Sequence, residues 1–150
     1  MIIAIAVHIL ASVIWVGGMF FALVILRPSA GPLDQPQRLA LWHRVLSRFF
    51  PWVWLSVAVL LVSGFAVIFL GLGGFAATRS HVRIMMAVGI IMMLIYAHLY
   101  FAPWRRLRGA VQASDWAAAE RSIGQIRLLI TINLALGLAV VMIGASGRYW

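Results

Sequence analysis

The sequence predicts an all-α integral membrane protein. A single domain, residues 1–150, forms a four-helix up-down bundle with a short amphipathic helix between spans 1 and 2. Three observations carry this. The chain is 65% hydrophobic over 150 residues, with a mean hydropathy of +1.05, well above globular composition. Its apolar residues gather into four runs, each near the ~20 helical residues that cross about 30 Å of hydrocarbon. The 12 basic residues, all arginine, fall between these runs or at their edges.

Span 1 covers residues 2–26 and carries no charge before Arg27-Pro28 stops it. It lacks a basic leading region and a small-residue cleavage site, so it reads as a retained helix rather than a signal peptide. Residues 29–36, Ser-Ala-Gly-Pro-Leu-Asp-Gln-Pro, have the composition of a turn. From 37 to 50, Leu39, Trp42, Val45, Leu46 and Phe49 fall at helical spacing, while Arg38, Arg44 and Arg48 take other positions. That pattern is an amphipathic helix on the membrane interface or leading into the second span.

Span 2 covers residues 51–70, with Pro51 placed for a first turn and Gly71-Leu72-Gly73-Gly74 ending it. Ser80 is a candidate N-cap for span 3, residues 82–102, which Pro103 and Arg105-Arg106 close. Residues 111–121 form a short polar amphipathic stretch. Span 4, residues 126–145, carries Asn133, Gly137 and Gly144 along one side. Small residues there allow close helix packing, and Asn133 can hydrogen-bond to a neighbour.

A net charge of +9 and a pI near 11.9 would point to nucleic acid in a soluble protein. Here the arginines read as topology signals and headgroup contacts, so the expected partner is the lipid bilayer and no nucleic acid is expected. Arg27, Arg38, Arg44, Arg48, Arg105, Arg106, Arg108, Arg121 and Arg127 flank one end of the spans, against Arg79, Arg83 and Arg148 at the other. The positive-inside rule puts the nine in the cytoplasm and both termini outside a bacterial-type inner membrane. A homo-oligomer and a monomer are both compatible with the sequence.

With no cysteine there is no disulfide, thiolate ligand or cysteine-linked haem. Only Asp34, Asp115 and Glu120 are acidic. No carboxylate pair, nucleophile–base constellation or phosphate-binding glycine loop occurs, which speaks against a hydrolase or transferase.

The histidines are the chemical signal. His8 precedes Arg27 by 19 residues and His81 precedes Pro103 by 22, so at 1.5 Å per residue both lie roughly 28–33 Å from the inner boundary. His98 lies near the inner face, and His43 sits in the inner amphipathic segment. An imidazole inside an apolar span turns toward protein, water or a cofactor. His8, Ser12 and Trp15 share one helix face at helical spacing, and Trp15 is placed to pack against a porphyrin. Paired imidazoles at matched depth suit a b-type haem, with arginines near the boundary to neutralise propionates. The blander readings make His81 an interfacial residue, His43 a surface residue, and His98 a donor to a neighbouring carbonyl. Met19, Met85-Met86 and Met92-Met93 offer a rival, since thioethers and imidazoles suit Cu(I), although methionine is also ordinary packing material. Trp42, Trp52, Trp104 and Trp150 read as interfacial anchors.

His8-Ile-Leu-Ala-Ser-Val-Ile-Trp-Val-Gly-Gly18 resembles the first helix of CopD-like membrane proteins and of the related HemJ-type protoporphyrinogen oxidases. Trp42-His-Arg-Val-Leu-Ser-Arg-Phe-Phe-Pro51 is similar to the segment leading into their second helix, and Ser80-His-Val-Arg83 to the His-x-Lys entry of their third. The resemblance implies a compact helical membrane protein, with haem b in the HemJ branch and copper transport in the CopD branch. Arg83 stands where the oxidases have lysine, and arginine cannot act as a neutral base or amine ligand. His43 stands where their segment carries glutamate.

The expectation is therefore a membrane b-type haem protein for electron transfer or porphyrin-linked oxidation. His8 and His81 are its ligands, with Ser12, Trp15 and Arg83 beside the cofactor. The alternative is a copper-handling protein, with His8, His81 and His98 as candidate metal ligands.

Overall fold

The computed structural model describes residues 1–149, Arg148 by its backbone alone. Four long helices account for nearly all of it: α1 (Ile2–Ser29), α2 (Gln35–Gly71), α3 (Ser80–Gln112) and α4 (Trp116–Ser146), each long and apolar enough to cross a membrane. They run up and down, with short turns at the arginine-rich end. Eight residues, 72–79, join α2 to α3 at the other end, with Gly73 and Gly74 at φ 79° and 95° in the left-handed region that favours glycine. Exposed Ile9, Val13, Ile91, Leu94, Leu138 and Met142 form the apolar exterior that lipid covers and water would not tolerate.

The amphipathic segment is not a separate helix. It is the first half of α2, which passes straight through Pro51. A proline inside a helix removes one backbone donor and crowds the carbonyl four residues earlier, here that of exposed Ser47. Span 3 likewise continues past Pro103. The helix widens into a π-turn over Tyr100–Trp104 and resumes to Gln112, since a wider turn relieves the crowding a proline ring causes. A second π-turn, Phe21–Leu26, precedes Pro28 in α1. The predicted polar stretch of 111–121 is divided by the turn 113–115, and α4 starts ten residues before its predicted span. Ser80 is not the cap of α3. Arg79 holds that position, without a side-chain bond.

These extensions build a second core beyond the spans. Leu39 and Leu46 of α2, Leu107 of α3, and Ala119, Ile123 and Ile126 of α4 are fully buried there. Trp42 and Trp104 are buried with them, so neither is the interfacial anchor the sequence implied. Trp52 is 56% exposed, as an anchor requires, and Trp150 lies outside the described residues. Asp34 and Asp115 cap α2 and α4, each accepting an amide N–H at 2.9 Å, from Gln37 and Ala118.

Toward mid-bundle the packing is aromatic. Trp15 meets Tyr96 edge-on at 6.0 Å, and Tyr96 also meets Phe50 and Trp54. The buried Tyr96 hydroxyl donates to the Phe50 carbonyl at 3.0 Å, tying α3 to α2 beside Pro51. The Phe49 ring lies against Gly18, where a Cβ would collide with it. As the sequence anticipated, Asn133 bonds across helices, its Nδ2 donating to the Met92 carbonyl at 3.0 Å.

Candidate functional site

Three features could carry chemistry: the half-buried His8, the face of α3 that begins at His81, and a polar cavity at the arginine-rich end.

His8 turns toward α2. Its Nδ1 lies 2.8 Å from Ser63 Oγ, and Ser63 donates its own hydrogen to the Val59 carbonyl, so the imidazole is the donor in this pair. Gly64 lies beside the ring: a Cβ there would stand 3.4 Å from His8 Cε1, an ordinary contact distance. Ser12 donates back to the His8 carbonyl at 2.9 Å, a local helix contact. Trp15, placed by the sequence against a porphyrin, is 3% exposed and packs on Tyr96 instead. Protein fills its surroundings.

His81 belongs to a different helix pair. Its ring root presses on Gly147, just after α4, where a Cβ would stand 2.6 Å from Cγ and Cδ2. One turn on, Met85 meets Gly144: a Cβ there would lie 2.9 Å from Cε and 3.5 Å from Sδ. Two further turns on, Met92 meets Gly137, where a Cβ would lie 3.1 Å from Cε and 2.9 Å from Val16 Cγ2 of α1. At about 100° per residue, His81, Met85 and Met92 lie within roughly 40° of one another. One imidazole and two thioethers thus follow a single face of α3, against small residues of α4. Small residues let membrane helices approach closely. Asn133 sits at the inner end of this seam, 2% exposed, its Oδ1 without a partner among the described residues.

Arg83 is not directed along that seam. Its Nε and Nη2 donate to the Thr78 carbonyl at 3.1 and 2.9 Å, fastening the loop to the start of α3. His98 is exposed. His43 stacks on Trp104 at 5.4 Å and 18° and lines a cavity of about 260 Å³ with Ser47, Tyr100, Arg108 and Gln112. The inner histidines are therefore not brought to one site. Among the described residues no three His, Cys, Asp or Glu side chains gather to hold a metal. Asp34 and Asp115 are helix caps, and Glu120 is engaged by Arg38 and Arg127. The soft donors left in the spans are the histidine nitrogens and methionine sulfurs.

The sequence named His81 and the methionines but not their shared face. The in-phase spacing 81, 85, 92 was the available signal. The pairing of that face with Gly137 and Gly144 needed the fold.

Among known families, the model described as copper resistance protein D matches residues 43–146. The match takes in His43, His81, Met85, Met92 and His98 and leaves out His8. No curated protein and no solved structure matches the chain.

Proposed function

The chain belongs to the copper resistance protein D family and is a copper-related membrane protein, and from that premise we propose that it takes Cu(I) into the bilayer along α3. The observation that supports this reading is the alignment of His81, Met85 and Met92 on one helix face. Soft thioether and imidazole donors suit Cu(I). They are neutral, so the ion's single charge enters the bundle without a buried anion whose own desolvation would be costly. His81 and Met85 are ~6 Å apart along the axis and Met85 and Met92 ~10 Å, at 1.5 Å per residue. The ladder thus runs from one end of the bundle to mid-depth. It begins at the end with few arginines, which the positive-inside rule places outside the cytoplasm. Copper would enter from that side.

A haem b on His8 and His81 is the competing reading. It requires His8 to leave Ser63 and a ring to displace the packing around Trp15. The two readings separate on protein purified in mild detergent. Under copper handling the protein is colourless, retains stoichiometric Cu(I) against a chelator, and loses it when Met85 and Met92 are both replaced by leucine. Sharp visible bands of a low-spin haem, abolished by His8→Ala, with no Cu(I) retained, would overturn the proposal.

A further inference from the structure

Where α1 ends and α2 and α4 begin, two arginines hold one carboxylate and a third lies within electrostatic reach of them. Arg38 Nη2 donates to Glu120 Oε2 at 3.1 Å, and Arg127 Nη2 stands 3.6 Å from Glu120 Oε1. The Arg127 guanidinium lies over the buried Trp42 ring, 5.6 Å from its centroid, and its Nε is buried with no acceptor among the described residues. Exposed Arg27, at the end of α1, acts on the same guanidinium electrostatically, as does Arg38. Two guanidiniums thus share one carboxylate, with the charge of Arg27 added beside Arg127. Asp34, the nearest other acid in sequence, has an oxygen engaged in capping α2.

A buried charged donor without an acceptor is rare and costly. The cluster is short of anionic oxygen, and its position says where that oxygen comes from. It lies at the end of the spans that carries most of the arginines. Beside it Val24, Ile25 and Leu128 are 46%, 47% and 61% exposed, as side chains against acyl tails would be. Guanidinium forks match phosphate geometry, and basic clusters at this depth meet anionic headgroups.

We propose that Arg27, Arg38 and Arg127 form a binding site for the phosphate of an anionic phospholipid, with Glu120 as the counter-charge that holds them together between lipids. The lipid lies against the end of α1 and the neighbouring turns of α4. Its phosphate approaches the guanidinium edges that Glu120 leaves open.

Native mass spectrometry of the detergent-solubilised full chain tests this, with phosphatidylglycerol and phosphatidylcholine offered in equal amounts. The expected result is preferential retention of phosphatidylglycerol. Arg38→Gln and Arg27→Gln should each weaken it about fivefold, while Arg105→Gln, an exposed arginine at the same end, should not. Arg127 packs on Trp42, so its replacement risks the fold, and the two outer arginines carry the test. Glu120→Gln is the discriminating variant. It should strengthen phosphatidylglycerol retention while lowering the melting temperature in its absence. A purely structural ion pair would lose stability in every lipid with retention unchanged. Equal retention of the two lipids, or a preference indifferent to Arg27 and Arg38, would overturn the site. Displacement of phosphatidylglycerol by inorganic phosphate at comparable concentration would overturn its assignment to a lipid.

Discussion

Gly137→Ala is the sharpest probe of the seam between α1, α3 and α4. The added methyl would lie 2.9 Å from Val16 Cγ2 and 3.1 Å from Met92 Cε, against ordinary carbon contacts of ~3.5–4.0 Å. Met92 ends in a flexible thioether and can swing aside. Val16 cannot, because a β-branched side chain in a helix is held to one rotamer, so α1 must retreat by about 0.6–1 Å. Overpacking of this kind costs about 1–3 kcal/mol, offset by ~0.5–1 kcal/mol from replacing glycine inside a helix. The net expectation is a loss of ~0.5–2 kcal/mol. Gly124→Ala, on the same helix with nothing within 4 Å of the new methyl, isolates the offset and should be neutral or stabilising by ~0.5–1 kcal/mol. Reversible unfolding in mixed micelles, followed by tryptophan fluorescence, compares the two. Val16→Ala in the Gly137→Ala background should recover much of the loss, as a coupling between contacting residues. If Gly137→Ala and Gly124→Ala behave alike, the close three-helix junction does not exist.

Two further predictions follow from single contacts and one from the arginine distribution. Tyr96→Phe removes the bond to the Phe50 carbonyl and should cost ~0.5–1.5 kcal/mol in the same assay; no change would mean the hydroxyl is not engaged. His8→Ala should lower stability by about 1 kcal/mol through loss of the Ser63 bond while leaving Cu(I) stoichiometry intact, and a fall in stoichiometry would place His8 in the copper path. A reporter fused after Trp150 should read as periplasmic, and a cytoplasmic readout would reverse the direction in which copper enters.

The spans were legible because hydropathy over some twenty residues is a strong signal, and the antiparallel order followed from short connections. The helix ends were not. Pro51 and Pro103 each announce a break locally, yet a long apolar helix tolerates one missing donor when a π-turn or an exposed carbonyl absorbs the strain. Leu39, Trp42 and Leu46 showed their helical period plainly. Nothing in that period says whether the face meets lipid or another helix, and here it meets Leu107, Ala119 and Ile123. His8 drew attention as a polar group in an apolar run. Its answer lies 55 residues away at Ser63, a distance no local pattern crosses. The methionines were visible, but their register against Gly137 and Gly144 depends on which helices pair. Glu120 likewise gave no sign in the sequence that it gathers Arg38 and Arg127.

The most direct test of copper handling along α3 is the copper K-edge X-ray absorption spectrum of the Cu(I)-loaded protein. Sulfur and imidazole scattering together, with the sulfur component reduced in Met85→Leu and in Met92→Leu and lost when both are replaced, is the predicted result. A copper environment of nitrogen and oxygen alone, unchanged by both substitutions, would contradict it.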